Sequence, residues 1–218
     1  AHSFMRLNQF SSWVALATAI LVCDVAVAQP ATVDAGHTVL TLPTRFKAYA
    51  APLKQRFTSG DPIPVDRQVV LLSSERRPAV AAMLIETTRE SGVFIWGDSC
   101  KPLKNNAHTF VYSPFHSKSD ECAFAVGPLD LATLIGESFG DVEDTLRAGS
   151  QPVPEGVGYL IHSTYASATG SMLSTTAFVR DPLARLSTAP EKLPDGTGVA
   201  APVVAWTRAL HEQVRGAM

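Results

Sequence analysis

The alternation of apolar and polar residues predicts a series of short strands through the middle and the last third of the chain. Short apolar or alternating runs bounded by turn residues are typical of strands. Such runs are found at Arg67–Leu72, Val93–Trp96, His108–Tyr112, Cys122–Val126, Tyr159–Ala166 and Met172–Val179. An Ala-Thr-Gly turn between the last two runs predicts a hairpin. The segment Pro78–Thr88 fits either a helix or a strand, and we favour a strand within a three-stranded meander.

Apolar residues at helical spacing predict helices at Thr44–Phe57, Pro128–Phe139 and Ala201–Val214, with a further turn or helix at Asp141–Ala148. Pro52 is expected to kink the first of them. The polar face of this first helix carries Arg45, Lys47, Lys54 and Arg56. That basic face fits either contact with an acidic partner or simple solvation. Because strands and helices do not alternate regularly, the pattern predicts an α+β fold: a mainly antiparallel sheet with three or four helices in a single domain.

The beginning of the chain has the features of an export signal. Arg6 precedes the apolar run Trp13–Val22, and Ala26-Val27-Ala28 supplies the small residues of a cleavage site. The run is about half the length of a membrane-spanning helix. We therefore expect residues 1–28 to form a leader, in which Ala1–Phe4 precede the natural start, and residues 29–218 to form the exported domain.

Cys23 offers an alternative interpretation, because a lipoprotein signal ends in a cysteine. The residue before a lipidated cysteine is normally small, and Val22 is not, so the downstream site is the better match. After cleavage no second long apolar run follows. The sequence therefore predicts a periplasmic or secreted protein without a stable membrane span.

Composition narrows the class of protein further. Hydrophobic residues make up 46% and charged residues 17% of the 218 residues, which is the balance of a folded globular chain. The formal net charge of −2 shows none of the basic excess of a nucleic-acid-binding protein. No nucleotide-binding loop and no HxxxH, HExxH or CxxC spacing is present, so the sequence predicts neither a cofactor nor a metal site.

Cys100 and Cys122 are the two cysteines that remain after the leader. An oxidising compartment favours their pairing, and closing a loop of this length would stabilise the fold by about 3 kcal/mol in the chain-entropy model. The sequence thus predicts one disulfide, which would join the end of Val93–Trp96 to the start of Cys122–Val126.

Gly97-Asp98-Ser99 follows a predicted buried strand, a position at which several hydrolases carry a nucleophilic serine. The triplet resembles the first block of the GDSL/SGNH esterases, which implies Ser99 as the nucleophile. The resemblance covers about seven residues. The late Asp-x-x-His of that family is missing, because His211 stands in Ala-Leu-His-Glu.

Two regions are candidates for binding. Loops held by a rigid scaffold often carry recognition residues, and aromatic and histidine residues flank the loops around the predicted disulfide: Trp96, Tyr112, Phe115 and His116. The predicted hairpin is rich in hydroxyl groups and contributes His162 and Tyr165. Alternation places His162 with Leu160 and Thr164 on one face, and Ser163 and Tyr165 on the other.

These features favour an exported, non-enzymatic domain that binds another envelope or extracellular protein or ligand. A serine hydrolase that uses Ser99 and a solute-binding module are the alternatives. The enzyme hypothesis requires a histidine beside a serine in a cleft, whereas a solute-binding module requires a concave apolar pocket.

Overall fold

The computed structural model describes residues 32–35, 38–42, 47–48, 53–57, 65–74, 77–88, 109–112, 120–167, 171–180 and 199–218. The elements in chain order are β1 (Thr32–Asp34), β2 (Val39–Thr41), β3 (Lys47–Ala48), β4 (Leu53–Phe57), β5 (Val65–Ser74), β6 (Arg77–Thr88), β7 (Thr109–Tyr112), β8 (Asp120–Asp130), α1 (Leu131–Ser138), α2 (Gly140–Ala148), β9 (Val157–Ala166), β10 (Met172–Arg180) and α3 (Ala201–Gly216).

An eight-stranded antiparallel sheet dominates the described residues. Its order is β3-β5-β6-β10-β9-β8-β7, and β4 lies beside β3 along the same edge of β5. The hairpin of β9 and β10 occupies the centre, with Thr175 opposite Ser163. A separate two-stranded sheet is formed by β1 and β2. The central hairpin therefore has strands on both sides, and its side chains face two different layers.

The two faces of the sheet bury different apolar clusters. On the face that we call the α3 face, Tyr159 and Ile161 of β9 pack with α3 and with the β1–β2 hairpin. On the opposite face, called the α1–α2 face, Leu160 of β9 packs with α1 and α2. This division follows from the period of two along a strand, which sends successive side chains to opposite faces.

Helix α1 begins where β8 ends, because Asp130 caps it. The Asp130 carboxylate accepts a hydrogen bond of 2.8 Å from the backbone N–H of Thr133. That bond satisfies one of the free donors of the first turn and lowers the pKa of Asp130. Leu131 and Ile135 then face the sheet. The cap thus fixes where the chain turns from strand to helix.

The close approach of α1 to the sheet depends on Gly158 in β9. A Cβ at this position would collide with the carbonyl oxygen of Val179 and lie 2.6 Å from Leu131 Cδ1. We expect Gly158→Ala to lower the free energy of unfolding by about 2 kcal/mol, the usual cost of overpacking, as measured by urea denaturation. The matched control is Gly140→Ala, since a Cβ there has no neighbour within 4 Å. Equal stabilities of the two variants would contradict this packing.

The α+β fold class predicted from the sequence is wrong. Within the described residues, the chain forms a mostly antiparallel β sheet shaped as a half-barrel, with three helices. The clearest error is the helix predicted at Thr44–Phe57, where the structure has β3 and β4 paired with β5. Pro52 interrupts a helix, and the ladder with β5 supplies the hydrogen bonds that a helix would otherwise have made.

Other predicted elements are confirmed. The segment Pro78–Thr88 is a strand, within β6, but the predicted three-stranded meander is wrong because β6 lies between β5 and β10. The hairpin of Tyr159–Ala166 and Met172–Val179 forms as expected. The helices predicted at Pro128–Phe139, Asp141–Ala148 and Ala201–Val214 correspond to α1, α2 and α3. The leader and the strand Val93–Trp96 lie outside the described residues.

The disulfide between Cys100 and Cys122 that the sequence predicts is not confirmed. No disulfide joins two of the residues that the structure describes, because Cys100 lies outside them. Cys122 is fully buried in β8 and is not a free thiol.

Candidate functional site

A buried polar cluster lies between α3 and the centre of the sheet, and we call it the Ser–His–Glu cluster. It consists of Ser163 on β9, His211 on α3 and Glu121 on β8. Ser163 Oγ is 2.9 Å from His211 Nδ1, and His211 Nε2 is 3.6 Å from Glu121 Oε2. A serine, a histidine and a carboxylate therefore follow one another in space, as in nucleophilic enzymes.

Three separate elements bring these residues together. Ser163 follows Ile161 on the α3 face of β9. Glu121 lies on β8, and the pairing of β8 with β9 places it opposite Tyr165. His211 lies one turn after Thr207 on the buried stripe of α3. The cluster therefore depends on the pairing of β8 with β9 and on the docking of α3.

The electrostatics of the cluster favour a neutral histidine. Burial lowers the pKa of His211, while Glu121 and Glu212 act in the opposite direction and Arg215 adds to the lowering. Arg215 Nε is 3.8 Å from Glu121 Oε2, so the carboxylate faces a guanidinium as well as the imidazole. A neutral ring bonded to Ser163 at Nδ1 suits a buried site better than an imidazolium.

The same burial prevents the cluster from acting on a substrate in this structure. Ser163 and His211 are each 0% exposed, and Glu121 is 4% exposed. A nucleophile must approach to about 3 Å of the atom that it attacks, and nothing from solvent reaches Ser163 Oγ. The arrangement instead connects α3 to the sheet by a buried hydrogen bond.

A second polar group, called the hydroxyl cluster, lies on the α1–α2 face around His162. Thr164 Oγ1 donates to Ser174 Oγ at 2.9 Å and lies 2.8 Å from His162 Nε2. The Thr164 oxygen therefore accepts from Nε2–H, and His162 Nδ1 accepts from the Thr176 hydroxyl at 3.0 Å. These bonds fix one neutral tautomer of His162.

Burial reinforces that neutral state. It lowers the pKa of His162 to about 4, and the ring also stacks on Phe124 with centroids 4.9 Å apart. Both ring nitrogens already have hydroxyl partners. The hydroxyl-rich face predicted as a binding surface is thus internally bonded at His162.

Two arginines of α3 and a tyrosine of β7 form a group at the edge of the helix–sheet interface, which we call the α3 rim: Arg208, Arg215 and Tyr112. The Tyr112 ring meets His211 edge-on at 5.6 Å between centroids. Arg208 Cζ lies 5.8 Å from the centroid of the same tyrosine ring, within reach of a cation–π interaction. Arg208 and Arg215 are exposed. The rim therefore contacts the buried cluster and faces solvent at the same time.

The structure separates the residues predicted as a site. Tyr112 is on the rim, and Tyr165 is partly buried against the α3 face. His162 belongs to the hydroxyl cluster on the opposite face. The remaining candidates lie outside the described residues: Trp96, Asp98, Ser99, Cys100, Phe115 and His116.

Sequence reasoning missed the Ser–His–Glu cluster. The face occupied by Ser163 is predictable from alternation, but the predicted strand begins only at Cys122 and so leaves out Glu121. His211 stands one residue after Leu210, a member of the predicted apolar stripe of the last helix. Helical spacing from Thr207 was the available signal that this histidine faces the sheet.

Within the described residues, no group of three or more histidine, cysteine or acidic side chains could hold a metal ion. None of the helices described there is both long and apolar enough to cross a membrane. Comparison with models of protein families, with curated proteins and with solved structures finds no match.

Proposed function

We propose that the protein is an exported domain that binds another envelope or extracellular protein, and that the α3 rim contacts this partner. The observation that carries the proposal is Arg208 lying over Tyr112 at the surface, on the same helix as Arg215. Arginine and tyrosine are the side chains enriched at binding interfaces. Guanidinium groups pair with carboxylates in a bidentate manner, so a protein surface with acidic side chains is the partner chemistry that fits.

The buried state of Ser163 supports binding over catalysis at this position. The described serine that contacts a histidine ring is Ser163, and its 0% exposure removes it from contact with substrates. Arg208 and Arg215 of the rim, by contrast, are exposed at the surface. Ser99 does not belong to the Ser–His–Glu cluster, and a hydrolase that uses Ser99 stays a separate hypothesis.

Photo-crosslinking in the exporting cell tests the proposed surface. A photoreactive residue at Ala205, which is exposed one turn before Arg208, is expected to capture a discrete acidic protein. Adding Arg208→Glu is expected to abolish the product, because the charge at the rim reverses. The control is the same photoreactive residue at Ala148, an exposed position at the end of α2, from which no such product should form.

Two results would overturn the proposal. Equal products from Ala205 and Ala148 would show that the capture is unspecific, and a product insensitive to Arg208→Glu would exclude the rim. Fluorophosphonate labelling of the protein distinguishes the hydrolase alternative. Labelling that disappears with Ser99→Ala would replace the binding proposal by a serine hydrolase.

A further inference from the structure

We propose that α3 is an acid-released helix: proton uptake by His211 undocks it from the sheet and exposes the α3 face. The inference concerns a conformational response of the fold and does not rest on the proposed binding function. It follows from the position of a titratable ring at the centre of the helix–sheet interface.

The groups that face His211 come from several elements. Glu121 projects from β8, Ser163 from β9 and Tyr112 from β7, while Glu212 and Arg215 belong to α3 itself. Strands β2 and β10 also pack on α3. The described residues of β10 on this face are apolar or hydroxylic: Leu173, Thr175, Ala177 and Val179. The described residues of β2 are Val39, Leu40 and Thr41, so neither strand adds a charge there.

Protonation of His211 destabilises the docked state of α3 relative to the released state. The neutral ring uses Nδ1 for Ser163, and its Nε2 stands 3.6 Å from Glu121, beyond a good hydrogen bond. A protonated ring would carry a full charge at a position with 0% exposure. The Glu121 carboxylate that lies nearest to it is shared with Arg215. Since water would solvate the imidazolium far better than this interface does, the proton favours the released helix.

The lowered pKa of His211 agrees with this geometry, and burial is its first cause. The sign follows from linkage. A histidine whose pKa is lower in the docked state binds its proton more tightly when released, so docking weakens as the pH falls below about 6.5. Because Glu121 raises the pKa of docked His211, it sets the pH at which the rise in opening levels off.

Helix α3 can separate from the sheet as a unit because side-chain contacts, and not backbone pairing between strands, hold it there. Apolar side chains make most of its contact with the sheet. The described polar contacts include the hydrogen bond between His211 and Ser163. At the end of the helix, Thr38 Oγ1 donates to the carbonyl of Ala217 at 2.6 Å. The central strands β9 and β10 are paired on both sides. Opening at the helix therefore costs less than separation of the sheet.

Hydrogen–deuterium exchange of the full chain, measured by mass spectrometry at several pH values and corrected for intrinsic rates, tests the proposal. We expect the opening constant of residues 203–214 to rise by up to about tenfold per pH unit below about pH 6.5, while β9 and β10 stay protected. His211→Gln should remove this dependence, because the amide does not titrate. His162→Gln is the matched control and should retain it.

The proposal is overturned if α3 and the central strands open together at every pH, since the response is then global unfolding. It is also overturned if His211→Gln keeps the wild-type dependence. Glu121→Gln provides a second measurement should His211→Gln fail to fold. Removing the carboxylate lowers the pKa of His211 in the docked state and leaves that of the released helix unchanged. The opening constant should therefore keep rising to a lower pH, and to a higher final value, than in the wild type. A rise that levels off at the wild-type pH would contradict the mechanism.

Discussion

Arg67→Met is expected to lower the free energy of unfolding by about 3 kcal/mol at neutral pH, because it breaks a partly buried ion network. Arg67 Nε on β5 lies 2.8 Å from Glu86 Oε1 of β6, and Arg67 Nη1 donates a hydrogen bond to Asp141 of α2. The arginine side chain is 21% exposed and that of Glu86 27% exposed. Methionine fills much of the same volume but leaves both carboxylates without this guanidinium.

The penalty should decrease in acid. Burial raises the pKa of Glu86, and Arg67 opposes that rise. Without the guanidinium the pKa of Glu86 rises further, so the variant takes up a proton as the pH falls and is relieved of a buried charge. Urea denaturation at pH 7 and pH 5 measures the two values, and a penalty that does not shrink at pH 5 would contradict the assignment.

The matched control is Arg147→Met. Arg147 also donates to a carboxylate, with 2.8 Å from its Nε to Glu143 Oε1, but its side chain is 68% exposed. Exposed pairs four residues apart in a helix contribute about 0.5 kcal/mol or less. Similar costs for the two arginines would show that the network at Arg67 has no special role in joining α2 to the sheet.

The parts of the fold that were predictable are those whose pattern is local. The alternation around Ile161 and the stripe of α3 each extend over enough residues to distinguish a strand from a helix. The prediction for Thr44–Phe57 is wrong because the spacing of its apolar residues does not distinguish a helix from a strand. Leu53 and Phe57 are four residues apart, which places them on one face of either a helix or a strand. Pairing with β5, a long-range interaction, decided the outcome.

The Ser–His–Glu cluster was harder to predict because its members come from distant parts of the chain. Ser163 and His211 are 48 residues apart, and Glu121 reaches them only through the register of β8 on β9. Alternation indicated which face Ser163 occupies, but not what packs there. The hydroxyl cluster is different, since its histidine and threonines belong to one hairpin whose register the turn largely sets.

The His162→Gln variant is expected to lose much of the acid sensitivity of the wild-type protein. Burial lowers the pKa of His162 to about 4, against about 6.5 in an unfolded chain. The unfolded state therefore binds the proton first, and stability falls as the pH decreases from about 6.5 to about 4. The 2.5-unit difference corresponds to a loss of up to about 3 kcal/mol. Glutamine can still hydrogen-bond to the neighbouring threonines but does not titrate.

Urea denaturation across this pH range measures the free energy of unfolding of His162→Gln and of the wild type. The titration of the carboxylates cancels in the difference between the two values. The control is Thr164→Val, which removes the hydrogen-bond partner of His162 Nε2 and should cost about 1–2 kcal/mol. Because this variant retains the imidazole, its stability should still fall steeply in acid. A curve for His162→Gln parallel to that of the wild type would show that His162 takes up its proton equally well in the folded and unfolded states. The neutral tautomer assigned from the hydroxyl cluster would then be wrong.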